Sequence, residues 1–106
     1  MFETLEVGLQ AINAMKDAVR TLRHRDGDLC RQVRRAGSSM VLNIAEGRRR
    51  VGKDRLHLWR IALGSADEVR VALRVAMAWG DLRETETREA LTLIDRVVAM
   101  LYRMTR

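Results

Sequence analysis

The sequence predicts an all-α protein, and three observations support that prediction. Proline is absent from all 106 residues, and aromatic residues are only 4% of them. A β-sandwich or barrel needs β-branched and aromatic strands with regular turn signals, and this chain has neither. Good helix formers dominate instead, chiefly alanine, leucine, arginine, methionine and glutamate. Apolar residues also recur every three or four positions, the period of an amphipathic helix.

Four helices are predicted, separated by three breaks that contain glycine. The first runs from about residue 3 to 23 on an apolar stripe of Leu5, Leu9, Ile12, Met15, Val19 and Leu22. It ends at residues 24–28, where Gly27 is expected to adopt positive φ and Asp28 to cap the next helix. The second runs from about residue 29 to 46, with Gly47 just beyond its end.

The third predicted helix opens at Lys53 or Asp54, continues to about Trp79 and stops at Gly80. The fourth begins near residues 85–87 and ends with the chain. Connections this short favour antiparallel neighbours, so the chain is expected to form an up-down-up-down four-helix bundle. At this length residues 1–106 make a single domain, because a second hydrophobic core would not fit.

The third helix has more apolar surface than such a bundle can cover. At 100° per residue its apolar side chains span roughly 160°, whereas a bundle helix needs about 100°. Val71, Val75 and Ala78 lie outside even that arc. Trp59 and Trp79 lie on or near it, which favours core or interface packing over base stacking. A subunit interface explains the excess, so self-association as a homo-oligomer is expected.

One glycine falls inside the second predicted helix and one inside the third, where each costs roughly 1 kcal/mol relative to alanine. Folding the second and third helices about the loop at residues 50–51 places Gly37 level with Gly64. That register predicts a close approach of the two helices, with Ser38 or Ser39 hydrogen bonding near Ser65.

Positive charge is concentrated in the middle of the chain. The net charge is +6, but residues 20–60 alone hold twelve Arg and Lys against four Asp and Glu. Such a field favours an anionic partner, and nucleic acid is the leading candidate. The alternative is a solvated basic face that serves solubility. The expected binding residues are Arg31, Arg34, Arg35, Arg48, Arg49, Arg50, Lys53 and Arg55. Three other arginines, Arg20, Arg23 and Arg25, mark the opposite end of the bundle.

Residues 34–82 carry a resemblance to a known family. The matching residues are Arg35-Ala36, Ser39, the string Asn43-Ile44-Ala45-Glu46-Gly47 followed by arginine, then Ile61 to Ser65 with Gly64, Glu68, Gly80 and Leu82. This pattern resembles the four-helix-bundle proteins encoded in intervening sequences of bacterial 23S rRNA genes, also labelled S23 ribosomal proteins. Val41 and Leu42 depart from it, since the family usually has proline and serine there.

The resemblance implies a helical bundle that assembles as a ring, commonly a homopentamer. It is similar in architecture to the accessory variability proteins of diversity-generating retroelements, which are basic five-membered barrels that bind a reverse transcriptase and its nucleic acid. No catalysis is attached to the family. Among the motif residues, Asn43 is expected either to hydrogen-bond within the bundle or to face a partner subunit, and the structural role is favoured.

Catalysis and metal binding find little support in the sequence. His24 and His57 are predicted at opposite ends of the bundle, and neither has a second ligand at metal-binding spacing. Cys30 is expected to be a small buried hydrophobe. Glu46 is predicted about 13 Å along the axis from Asp67 and Glu68, too far to share one metal ion. Glu46 is instead expected to pair with Arg55 or a neighbouring arginine, and no cofactor is predicted.

The prediction is therefore a non-enzymatic basic bundle that binds RNA or DNA backbone through arginines of the loop between the second and third helices and of the second helix. The alternative is a protein-interaction scaffold, such as an accessory subunit of a nucleic-acid enzyme. No apolar run is long enough to cross a bilayer, and the N-terminus does not resemble a leader. A cytoplasmic location is expected, which a single unpaired cysteine also fits.

Overall fold

Five α-helices account for nearly all of residues 2–106, the part of the chain that the computed structural model describes. They are α1 (Glu3–Ala14), α2 (Lys16–Arg25), α3 (Gly27–Arg48), α4 (Gly52–Trp79) and α5 (Glu84–Thr105). No strand occurs within those residues, so the all-α prediction is confirmed. None of these helices is long and apolar enough to span a membrane.

The first predicted helix is divided into α1 and α2 at Met15, which the sequence analysis did not foresee. Met15 has φ −85° and ψ −7°, and its side chain is buried. The Met15 amide still donates to the Ala11 and Ile12 carbonyls at 3.1 Å, and the Met15 carbonyl accepts from the Val19 amide at 2.9 Å. Helical hydrogen bonding therefore continues across the division.

The predicted start and end of α3 were both wrong by one or two residues. Gly27 is the first residue of α3 and does not have positive φ. Asp26, not Asp28, caps the helix, because its Oδ1 accepts from the Leu29 amide at 3.0 Å. Gly47 lies inside α3 rather than beyond it, since the helix continues to Arg48.

The limits of α4 are both set by glycines in the left-handed region. Gly52, with φ +59°, opens α4 one residue before the predicted Lys53. Gly80, with φ +81°, ends the helix as predicted. A residue with a Cβ is strained at such φ values, which explains glycine at both positions.

The start of α5 is held by Glu86. Its Oε1 accepts from the Arg83 amide at 2.9 Å, and its Oε2 accepts from the Thr21 hydroxyl on α2 at 2.9 Å. These hydrogen bonds, that of the Arg83 amide above all, lower the pKa of the Glu86 carboxyl. The carboxylate thus both caps α5 and ties it to α2.

One hydrophobic core runs between the helices. α3 packs along α4, α4 packs against α5, and α1 packs chiefly against α5. The largest side chains with no exposed surface are Leu22, Met40, Ile44, Leu73, Ile94 and Leu101. They come from α2, α3, α4 and α5 at the positions that the apolar period of each helix predicts.

The predicted close approach of Gly37 and Gly64 is wrong. A Cβ at position 37 would lie 2.9 Å from Ile12 Cδ1, so Gly37 makes room for α1 rather than for α4. Gly64 is exposed, and a Cβ built there would meet no atom within 4 Å. The expected serine hydrogen bond does form, since Ser65 Oγ donates to Ser39 Oγ at 2.9 Å.

Apolar residues also occupy the side of α4 that faces away from the core. Ile61, Val71 and Val75 are 39%, 48% and 38% exposed. We define the outer α4 face as the exposed residues at alternating spacings of three and four, namely Ile61, Gly64, Glu68, Val71, Val75 and Ala78. Beside this face, Trp79 is 76% exposed and takes no part in the core.

Candidate nucleic-acid interface

The connection between α3 and α4 exposes a cluster of cations. Arg48, Arg49 and Arg50 are exposed where α3 ends, and Lys53 is exposed in the first turn of α4. Only Val51 and Gly52 separate the arginines from Lys53. The reversal of the chain here therefore holds the four side chains around a single short turn.

Two of the predicted binding arginines stabilise this turn. Arg55 donates from Nε to the Gly47 carbonyl at 3.1 Å and from Nη2 to the Arg48 carbonyl at 2.9 Å, so it caps the C-terminus of α3. Arg50 donates to Glu46 Oε1 from Nη2 at 2.8 Å. Glu46 therefore pairs with Arg50, a neighbouring arginine, whereas Arg55 donates its hydrogen bonds to backbone carbonyl groups.

Three cations of the turn, Arg48, Arg49 and Lys53, form no salt bridge within residues 2–106. The Arg48 guanidinium lies 5.0 Å from the centroid of the Phe2 ring. Arg49 and Lys53 are exposed, and within residues 2–106 none of these three has a carboxylate within 4 Å. Exposed cations that form no salt bridge are the groups that phosphate oxygens can pair with.

The end of α5 brings further arginines to the same place, and the sequence analysis missed them. Arg60 on α4 donates from Nη2 to the Thr105 carbonyl at 3.1 Å, which fixes the last turn of α5 beside the first turns of α4. Arg103 in that last turn and Arg106 directly after it are exposed. We define the basic end as this region, comprising Arg48, Arg49, Arg50, Lys53, Arg55, Arg60, Arg103 and Arg106.

The predicted α3 arginines do not join the basic end. Arg35 precedes Arg48 by 13 residues, which is about 20 Å along a helix. Arg35 lies 3.7 Å from Glu68, and Arg31 pairs with Asp28 one turn away. Arg34 lines a separate groove with side chains of α1 and α2. The eight predicted residues therefore do not form one cluster.

Most of the motif residues hold α3 against α4. Asn43 Nδ2 donates to the Ser39 carbonyl at 2.9 Å and to Ser39 Oγ at 3.2 Å. Ser39 Oγ in turn accepts from Ser65, so the three residues form one polar connection between the helices. Asn43 thus has the structural role that was favoured for it.

Gly47 is explained by the packing of Trp59. A Cβ at position 47 would lie 2.5 Å from the indole atoms Cδ1 and Nε1 of Trp59. The indole N–H donates to the Ile44 carbonyl at 3.2 Å, and the Arg55 guanidinium lies 5.2 Å from the ring centroid. Trp59 is thereby occupied within the chain, which agrees with packing rather than base stacking.

The residues considered for catalysis differ in burial. Cys30 is buried, and its Sγ donates to the Val19 carbonyl at 3.5 Å. His24 and His57 are both exposed, one near the end of α2 and the other in the second turn of α4. No group of three or more His, Cys, Asp or Glu side chains in residues 2–106 is placed to hold a metal ion.

Comparison with known proteins agrees with this architecture. The family model of the 23S rRNA-intervening sequence protein matches residues 3–103. A crystal structure of a protein with unknown function from the S23 ribosomal protein family of Bacteroides thetaiotaomicron VPI-5482 is 15% identical, with a TM-score of 0.84 over 97% of this chain and 98% of that one. That likeness shows a shared fold, and no match is found among curated proteins. Because the family model covers nearly the whole chain, the protein belongs to the 23S rRNA-intervening sequence protein family.

Proposed function

We propose that this chain is a basic, self-associating helical bundle that binds the backbone of RNA or DNA through its basic end. The observation that carries the proposal is the set of exposed cations without acidic partners, Arg48, Arg49 and Lys53, beside Arg103 and Arg106. In this proposal α1 and α2 act as one interrupted helix, so that the chain forms an antiparallel four-helix bundle.

The chemistry of the basic end favours phosphate contacts over base readout. Guanidinium groups pair with phosphate oxygens in a forked geometry, and such contacts carry no sequence information. Base stacking would need an open aromatic face, and the Trp59 ring is instead covered by Arg55. Binding is therefore expected to tolerate sequence changes and to depend strongly on salt.

The outer α4 face supports the self-association in this proposal. Its apolar residues are exposed, and a Cβ at Gly64 among them would meet no atom within 4 Å. An uncovered apolar stripe of this kind is typical of a subunit interface. The ring, commonly of five members, that the family resemblance implies would place several basic ends on one polyanion and raise the avidity.

The proposed function is non-enzymatic, and its proposed location is the cytoplasm. The proposed binding involves no catalysis, and no group of three or more His, Cys, Asp or Glu side chains in the described residues is placed to hold a metal ion. A cytoplasmic location agrees with Cys30 as a buried free thiol, since disulfides are rare there.

The test compares a basic-end variant with a charge-matched control. We would measure binding of labelled structured RNA and duplex DNA to the wild type and to the variant Arg48→Ala, Arg49→Ala, Lys53→Ala at two or more salt concentrations. The slope of log affinity against log salt should fall by about 3 for each chain in contact, because each phosphate contact contributes about 1. A variant with Arg20, Arg25 and Arg74 changed to alanine loses the same charge and should retain the wild-type slope.

Light scattering on each sample reports whether the assembly is intact. An intact wild-type assembly that binds neither nucleic acid would contradict the proposal, and an equal loss in both variants would show only a nonspecific effect of net charge. Binding of a protein partner with little salt dependence would favour the scaffold function instead.

A further inference from the structure

A groove lies where α1 and α2 meet α3, away from the basic end. Its volume is about 330 Å³. Its apolar floor consists of Ile12, which is partly exposed, and of Met15 and Val19, which expose little surface. Lys16 and Arg23 line it from α2, and Arg34 lines it from α3. The groove is open to solvent, because all three of these cations are exposed.

The charge on its walls is almost entirely positive. The one carboxylate paired with a lining residue is Asp17, which lies 3.0 Å from Arg20. Lys16, Arg23 and Arg34 have no carboxylate within 4 Å in residues 2–106. A ligand that complements these walls must therefore carry negative charge.

The apolar floor indicates which kind of anion fits. Nucleic acid would leave Ile12, the partly exposed floor residue, uncovered, because phosphates contact cations and bases need an aromatic platform, and no aromatic side chain lines the groove. An acidic amphipathic helix satisfies both parts. Its apolar side chains would cover the floor and its carboxylates would meet the walls.

The length of the lining suits that occupant. The floor residues extend from 12 to 19 and the α2 cations from 16 to 23. Each series covers seven steps, or about 10.5 Å along the helix axis. Two turns of a partner helix, with anchors from i to i+7, have the same length.

We infer that this groove, between α2 and α3, is a docking site for an acidic amphipathic helix of a partner protein. The inference is independent of nucleic-acid binding at the basic end, because Arg48, Arg49 and Lys53 do not line the groove.

The test uses a synthetic peptide, since the partner is unidentified. The probe is a labelled helix of about 15 residues with three leucines on one stripe and glutamates on both flanks. Saturable binding in fluorescence anisotropy is expected. The variant Arg23→Glu, Arg34→Glu should lower the affinity about tenfold or more, because it reverses the charge of both walls. Arg103→Glu, at the basic end, is the control and should change the affinity little.

A second pair of variants tests the apolar floor separately from the charge. Ile12→Ala should lower the affinity about fivefold, whereas Ile61→Ala on α4 should leave it unchanged. Thermal unfolding of each variant confirms that the fold is retained. A scrambled peptide of the same composition should bind weakly, because its leucines no longer lie on one stripe.

Four results would overturn the inference. The first is the absence of saturable binding up to about 1 mM peptide, a concentration that would reveal even weak specific docking, and the second is equal binding of the scrambled peptide. The third is displacement of the probe by single-stranded RNA, which would assign the groove to nucleic acid. The fourth is a lower assembly mass for Arg23→Glu, Arg34→Glu, which would assign the groove to a second copy of the chain.

Discussion

The two faces of α4 are both largely apolar, but only one of them is covered within the chain. On the inner face, Ala62, Val69 and Leu73 have no exposed surface. On the outer face, Val71 and Val75 are about half and about two-fifths exposed. The comparison shows that an apolar stripe in a helix does not by itself predict burial within the chain, since the chain covers the inner face alone.

The largest expected effect concerns the outer face in the assembly. Val75→Glu should weaken self-association about 100-fold, because an unpaired carboxylate in an interface costs about 3 kcal/mol. Light scattering over a dilution series measures this. Val51→Glu, which introduces the same charge at a residue 78% exposed in the loop, should keep the wild-type mass. An unchanged mass for Val75→Glu would remove the outer face from the interface.

The next effect contrasts matched valines in the Val75→Glu background, which is expected to be monomeric. Val69→Ala should lower the free energy of unfolding by about 2.5 kcal/mol, because Val69 is fully buried and its loss leaves a cavity. Val71→Ala should change it by less than about 0.5 kcal/mol. Urea unfolding measures both. Similar losses would mean that the outer face is covered within the chain after all.

The smallest effect contrasts the two motif glycines in the same background. Gly47→Ala should lower the free energy of unfolding by about 1.5 kcal/mol, since the added Cβ meets the Trp59 ring. Gly64→Ala should raise it by about 0.7 kcal/mol, since alanine is the better helix former and meets nothing. A loss at position 64 would indicate a contact of Gly64 within the chain.

Much of the helical structure could be predicted because it depends on local properties. The apolar period located four helical stretches, and Gly80 marked the end of α4 correctly. The period could not locate the division at Met15, because hydrogen bonding and burial continue through that residue. Gly47 was predicted to lie just beyond the helix, because glycine after a helical stretch usually marks a helix end. It lies inside α3 instead, where the absence of a side chain makes room for the Trp59 ring of α4.

The candidate site could be predicted only in part. The exposed cations of the turn were found because they are adjacent in sequence. The role of Arg55 was not predicted. Its two acceptors are backbone carbonyl groups of α3, and the pattern of charged residues gives no information about backbone groups. Arg103 and Arg106 were missed because they reach the basic end only when α5 packs beside α4.

The sequence by itself determined that the chain is helical, that its centre is strongly basic and that α4 has more apolar surface than one core uses. Composition and the 3.6-residue period are local, so no packing partner is needed to interpret them. Tertiary structure alone decided which arginines cap a helix, which pair with a carboxylate and which have no partner within the described residues. That choice depends on distances between side chains far apart in sequence, and these exist only once the helices have packed.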